Sequence, residues 1–448
     1  MPPAAAIIPA MKNAEGHSSD PAHPDANAKS ALSALVQEGV ATAGATAQSR
    51  GAHRQPPPLF DLEHDEQFTA LASFSPAVAC VSEIEDFRQN YGVGEAKRLV
   101  LQFLYEYLDE VPSLVADGHC FESIWTRFDR ELSTPTWRHI GITILQNFTS
   151  RANRIEIADG VAICRRTLED TKGAIAQEEL NWLMEDWERG AHGSHALLVE
   201  HSEPKTPDNV ISGDAYHTFN KIERALLALR LAKAGDVRTG RVFYCRPALL
   251  PRRLPGRGSS GAAQSRQGTD YHLDEGAIPL VCHRYALLAK FDRTAATWNN
   301  IRVALRRFTA IYENDWRQPE DKVIDAMIAL EALLGTAQEI TYRLASRVAG
   351  LLANDDEERV ALYKETERWY HRRSKSVHGS DLKPPDREAL GTTGELVNIV
   401  RRVLLGFLTL ATRPSPFNNR SRLSQDIDKV LLHTLERSDL RKAMGLCT

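Results

Sequence analysis

The sequence predicts an α+β protein in which an N-terminal mixed α/β region precedes an all-α C-terminal bundle. Three observations carry this prediction. Short apolar and β-branched stretches between residues 139 and 245, separated by turn residues, read as strands. From Leu280 onward, apolar residues recur at three- and four-residue spacing, the stripe of amphipathic helices. Between the two lies Arg246–Gly268, with Arg246, Arg252, Arg253, Arg257 and Arg266 and no acidic residue. The expected division is a disordered tail at 1–58 and an α+β domain at 59–245 that senses a trigger or selects substrate. A flexible Arg/Gly/Ser-rich linker follows at 246–275, and then a helical domain at 276–448.

Each element has its own signal. Residues 1–58 are rich in Ala, Pro, Ser and Gly, and the first aromatic residue of the chain is Phe60. Such a segment buries too little apolar surface to offset its ordering entropy, so disorder is expected there apart from a short helix around Lys29–Val40. Residues 94–110 place Leu99, Val100, Phe103, Leu104 and Tyr107 at helical spacing, stopped before Pro112. His139–Leu145 reads as a strand. Arg154–Ile157 and Val161–Cys164 flank Ala158-Asp159-Gly160, a hairpin signal. His195–Val199 is a further strand, 213–234 a helix closed by Gly235, and Arg241–Cys245 a strand. His192, His195 and His217 are isolated in sequence and read as structural or solvated, because metal sites need closer grouping. The arginine-rich segment reads either as an arm tracking a phosphate backbone or as a solvated loop; no aromatic residue interleaves its arginines.

The C-terminal helices follow in sequence. One carries Ile301, Leu305, Phe308 and Tyr312. Pro319 opens the next, which carries Val323, Met327, Leu330 and Leu334 and stops at Gly335. A third carries Ile340, Leu344, Val348 and Leu351. A fourth runs from about Glu357, and a fifth carries Leu396, Val400, Leu404 and Phe407 and ends before Pro414. A last helix carries Ile427, Val430, Leu431 and Leu435.

Composition bounds the function. The net charge of the 448 residues is −4, so no global basic field announces nucleic acid and any such surface is local. The six cysteines are scattered without a C-x-x-C pair, against a zinc site or disulfide framework and in favour of a reducing cytoplasm. No apolar run approaches the roughly 20 residues that span a bilayer, and the N-terminus lacks the basic and apolar regions of a secretion signal. We assign no metal and no cofactor.

The stretch with chemical content is Trp369-Tyr370-His371-Arg372-Arg373-Ser374-Lys375-Ser376-Val377-His378-Gly379. Arg373 and His378 are five residues apart, about 140° on an ideal helix. They converge only if the helix ends near His378, where Gly379, Pro384 and Pro385 supply a stop. A guanidinium beside a titratable imidazole suits phosphate chemistry; the plain alternative is a charged helix end with a solvated histidine. Other residues keep two readings each. Glu331 holds Arg373 or Arg347 by an ion pair, or is an ordinary helix carboxylate. Arg343 and Arg347, four apart on one helical face, bind RNA phosphates or make salt bridges within the bundle. Tyr370 stacks on a base or packs in the core.

In order and spacing, Asp325–Gly335, Ile340–Ala349 and Arg373–Gly379 together resemble the Apea-like HEPN family. The resemblance covers roughly residues 295–412 and, more weakly, parts of 136–250. It implies a HEPN helical bundle that dimerises to form an active cleft and cleaves RNA without a metal, with Arg373 and His378 catalytic. Ser374 and Lys375 would then support the site; Ser374 stands where many HEPN ribonucleases carry Asn, Asp or His. Abortive-infection or toxin-like defence, with a regulatory partner of unknown identity, belongs to the same implication. The family also has inactive members that dimerise or bind RNA, nucleotides or proteins. A third reading is a purely structural scaffold.

Overall fold

The computed structural model describes residues 26–49, 62–91, 95–111, 115–165, 195–206, 215–245, 269–291, 298–313, 319–335, 339–378, 384–390, 393–417 and 427–446. The fold is mixed: helices at both ends and a small antiparallel sheet in the middle.

Six helices open the chain: α1 (Ala26–Ser49), α2 (Leu62–Thr69), α3 (Phe74–Ser82), α4 (Glu85–Asn90), α5 (Glu95–Glu110) and α6 (Gly118–Ser133). They enclose their own core, in which Phe68, Phe87, Phe103 and Phe128 are buried. The short helix expected around Lys29–Val40 within the tail at 1–58 is longer, Ala26–Ser49, and packed rather than a tether. Ala28, Leu32, Leu35, Val36 and Val40 form a buried helical stripe on α1, and the aromatic surface that covers it comes from later helices. Glu38 fastens α1 to the start of α3, accepting hydrogen bonds from the backbone of Ala72 at 3.0 Å and Ser73 at 2.9 Å. The Ser73 hydroxyl, ahead of these backbone donors, holds the Glu38 carboxyl below its ordinary pKa. Residues 1–25 and 50–58 lie outside the described residues, as do Arg246–Gly268 and His192.

The sheet comprises β1 (Thr136–Gln146), β3 (Arg154–Ala158), β4 (Val161–Arg165), β5 (His195–Pro204) and β6 (Arg238–Cys245), in the order β3-β4-β5-β1-β6 with every pair antiparallel. The 158–160 turn closes the expected hairpin. Helix α7 (Ala215–Ala232) lies on one face of the sheet. Its approach explains Gly141, where an added Cβ would sit 2.2 Å from Thr218 Cγ2. On the same face His139 and His201 are direct cross-strand partners with rings stacked at 4.7 Å. A short parallel pair, β2 (Phe148–Ser150) with β7 (Tyr271–Leu273), stands apart from the main sheet.

That pair corrects the linker expected at 246–275 over its last residues. Tyr271 is fully buried and donates a hydrogen bond to the Leu229 carbonyl at 2.8 Å. Further helices among the described residues are α8 (Ile278–Lys290), α9 (Asn299–Glu313), α10 (Pro319–Leu334), α11 (Ile340–Leu352), α12 (Asp356–Val377), α13 (Pro384–Ala389), α14 (Gly394–Thr412) and α15 (Thr434–Ala443). Helix α10 is central, packed against α9, α11, α12 and α14. The core of these helices is continuous with the face of the sheet that α7 covers. The apolar core therefore joins strands to C-terminal helices and leaves α1–α6 as the separate part, which the expected boundary near residue 245 does not anticipate. Lys205 links the two parts: its ammonium lies 3.4 Å from Glu131 Oε1, donates to Tyr91 Oη at 3.1 Å and sits 4.2 Å from the Trp137 ring centre.

The expected last helix is interrupted. Residues 427–432 are helical, His433 breaks the run, and its ring accepts from the Glu436 amide at 3.4 Å to cap α15. Leu435, expected on the apolar stripe, is instead 72% exposed. No helix among the described residues is long and apolar enough to cross a membrane.

Candidate functional site

Helix α12 starts on Asp355, whose side chain accepts from the Glu358 amide at 2.7 Å, and carries Asp356, Glu357 and Glu358 in its first turn. Acidic residues there and Lys375 in the last turn both complement the helix dipole. The helix ends as the sequence requires: Val377 is its last residue, and the His378 amide donates to the Ser374 carbonyl at 3.1 Å.

The buried side of α12 runs through Leu362, Thr366 and Trp369 at four- and three-residue steps. Arg373 is the next residue on that stripe, which brings its guanidinium to α10. There it meets Glu331, Nη2 to Oε2 3.6 Å, with both side chains 23% exposed. Burial raises the Glu331 pKa, and the Arg373 charge opposes that shift only in part. The Arg373 guanidinium also lies 5.8 Å from the Tyr370 ring, and Tyr370 packs against the main core. Arg373 Nε is buried without a hydrogen-bond partner, as is Ser376 Oγ. His378, by contrast, is exposed at the helix end, and its ring makes no hydrogen bond or ion pair among the described residues.

A second group flanks the first. Lys375 Nζ donates to Asp386 Oδ2 at 2.8 Å and Arg372 Nε to Asp386 Oδ1 at 3.3 Å. Arg372 also lies over the Trp369 ring at 4.6 Å. The Lys375 hydrogen bond is the main reason that the Asp386 carboxyl sits below its ordinary pKa, and Arg372 acts in the same direction. The sequence does not single out Asp386: Pro384 and Pro385 read as a helix stop, yet proline also opens helices, and Asp386 is the first-turn acid of α13.

The third group is Arg347. Only 3% exposed, it holds Asp428 through Nε at 2.7 Å and Nη2 at 2.9 Å, and donates from Nη1 to the Leu334 carbonyl at 2.6 Å. Arg343 lies 3.5 Å from Glu339 and 3.9 Å from Asp428. Of the open readings, Glu331 pairs with Arg373 and not with Arg347, and both Arg343 and Arg347 make salt bridges inside the bundle. A groove of about 570 Å³ lies over this group, lined by Tyr342, Val360, Tyr363 and Leu431. The structure thus brings together Arg373, Glu331 and Tyr370, joins Lys375 to Arg372 through Asp386, and keeps Arg343 and Arg347 on Asp428.

Among the histidines read as structural, His195 is buried, within 3.3 Å of the Ala152 carbonyl, and burial lowers its pKa. His201, not singled out in sequence, is held down to about 4 by burial and then by the neighbouring charges of His139 and Lys221. Among the described residues no group of three or more His, Cys, Asp or Glu side chains is placed to hold a metal ion. Comparison with known proteins returned no matching family model, no matching curated protein and no matching solved structure.

Proposed function

We propose that the C-terminal helices form a HEPN-type endoribonuclease module that cleaves RNA without a metal, as a homodimer in the cytoplasm. In this reading His378 takes the proton of a ribose 2'-hydroxyl as its oxygen attacks the adjacent phosphorus. Arg373 steadies the charge that develops on the phosphate oxygens. The P–O5' bond breaks, the 5'-oxygen leaves with a proton, and a 2',3'-cyclic phosphate remains. The Arg373–His378 pair supplies one titrating group for two proton transfers, so the second comes from His378 of another copy. The α+β region at 59–245 selects the substrate or senses the trigger.

The observation that supports this reading is the end of α12, where an exposed imidazole follows, five residues on, a guanidinium whose ion pair among the described residues is a 3.6 Å contact with Glu331. A second reading draws on the countercharges there. Glu331 and Asp386 already neutralise Arg373, Arg372 and Lys375 in part, which suits a module that binds RNA, a nucleotide or a protein without cutting.

The test is incubation of the full chain with total RNA in EDTA beside His378→Ala. We expect wild type to leave 2',3'-cyclic phosphate ends in chelator. We expect His378→Ala to lose activity by a factor of about 10² or more while keeping RNA affinity, since general acid–base catalysis is worth roughly 10²–10⁴. Arg373→Ala weakens both. Cleavage that EDTA stops, or that His378→Ala leaves unchanged, removes the assignment; binding without cutting by wild type selects the second reading.

A further inference from the structure

Two imidazoles share one carboxylate where helix α7 meets the sheet. His139 of β1 is fully buried, and its Nε2 lies 2.9 Å from Glu203 Oε1. His201 of β5, its cross-strand partner, stacks on it with ring centres 4.7 Å apart and planes within 11° of parallel. His201 Nδ1 lies 3.4 Å from the Thr218 hydroxyl of α7, and its Nε2 is buried without a hydrogen-bond partner among the described residues. His217, in the first turn of α7, meets the His201 ring edge-on at 6.2 Å and is exposed. The charged and titratable groups that face the pair are therefore Glu203 on the sheet and His217 and Lys221 on α7, with Asp159 of the 158–160 turn acting on Lys221. Arg138 and Glu200, 3.1 Å apart, are the strand neighbours of His139 and His201 and point to the other face.

One carboxylate neutralises one imidazolium. A proton on His139 is matched by Glu203 at hydrogen-bonding distance. A second proton, on His201, sets two cations face to face at 4.7 Å where little water is left to screen them. Burial, then His139 and Lys221 oppose a charged His201, and Glu203 offsets them only in part. The packing has no slack to absorb the charge: Thr218 closes onto β1 at Gly141, where an added Cβ would sit 2.2 Å from Thr218 Cγ2. A charged His201 therefore reaches water by moving α7 off the strands. Helix α7 also ties the sheet to the C-terminal helices. Arg401 of α14 donates from Nε to the Arg230 carbonyl at 2.8 Å, and the Arg230 guanidinium lies 4.6 Å from the Tyr312 ring of α9.

We propose that His139, His201 and Glu203 form an acid-sensitive latch: closed, it holds one proton between His139 and Glu203, and a second proton, taken by His201, releases α7 from the sheet and loosens the joint between the sheet and the C-terminal helices. The latch uses no residue of α12 and does not rest on the ribonuclease reading.

The experiment follows urea unfolding of the full chain from about pH 7.5 to about pH 4.5, with amide hydrogen exchange corrected for its intrinsic rate. His201 has a folded pKa of about 4 against the ordinary 6.5. The unfolded chain therefore binds more proton below 6.5, and stability falls as pH drops from there toward the folded value. His201→Gln should remove this part of the acid loss, as should His201→Phe, which keeps a stacked ring. With each variant referred to its own stability at the neutral end, the unfolding constant at about pH 5 should be about tenfold smaller than in wild type, after allowance for solvent at this partly exposed ring. Glu203→Gln removes the one countercharge, so its acid loss should begin nearer neutrality. In wild type at about pH 5 the amides of α7, β1 and β5 should exchange ahead of those of α1–α6 and α10, and His201→Phe should abolish that early opening. A loss of equal size at every pH in the two His201 variants shows a purely structural ring and overturns the latch. Wild-type acid dependence in Glu203→Gln overturns it too, as does α7 opening only together with the whole chain.

Discussion

Arg347 and Arg373 occupy similar positions and are held very differently. Each projects from a helix beside α10, and each meets one carboxylate. Arg347 is 3% exposed and closes a two-pronged pair with Asp428 at 2.7 and 2.9 Å while capping the end of α10 through the Leu334 carbonyl. Arg373 touches Glu331 once, at 3.6 Å, and leaves its Nε without an acceptor. The two carboxyls record the difference with opposite signs. Hydrogen bonding from Arg347 lowers the Asp428 pKa, whereas burial raises that of Glu331 despite Arg373. Geometry thus separates a cation committed to the fold from one that retains donors for a ligand.

The sharpest way to break this contrast is to remove one member of each pair. Asp428→Ala leaves Arg347 buried and unpaired, and we expect a loss of about 3 kcal/mol, the low end for a broken buried pair because Asp428 is partly exposed. Arg373→Ala should change stability by less than about 1 kcal/mol, as for weak and partly solvated pairs. Urea unfolding of both variants at neutral pH checks the pair of values. Equal losses would show that Arg373 is as structural as Arg347 and would favour the binding-module reading.

Sequence carried the C-terminal helices well because their signals are local. Stripe spacing, Pro319 and Gly335 fix α10, and Gly335 is needed where it stands: a Cβ there would lie 2.4 Å from the Glu331 carbonyl oxygen. The end of α12 at Val377 was legible for the same reason. What sequence could not weigh was distant cover. Helix α1 looks too poor in large apolar groups to order itself, and it does so against Phe103, Phe128 and their neighbours, supplied from up to about a hundred residues away. The partners Asp386 and Asp428 were hidden likewise. Asp386 is an ordinary first-turn acid of α13 and Asp428 an ordinary helical carboxylate until packing sets them beside Arg372 and Lys375 or Arg347.

The smallest effect, and the most discriminating, is in pH dependence. Asp428 has a folded pKa below its ordinary 3.8. It releases its proton more readily in the folded state, so its contribution is present above that ordinary value and is lost as pH falls through the lower folded value. Glu331 has a folded pKa above its ordinary 4.5. The folded state there binds more proton than the unfolded state, so its contribution is full below 4.5 and is lost as pH rises through the raised value. Unfolding followed from about pH 3 to pH 7 should therefore show Asp428→Asn with a shallower acid loss than wild type. Glu331→Gln should show a shallower decline on the other side, above its ordinary carboxyl range. The two variants must differ in the direction of change, not only in size. If Glu331→Gln instead flattens the acid limb, Arg373 holds Glu331 as firmly as Arg347 holds Asp428, and the guanidinium at the end of α12 is no longer free to take a phosphate.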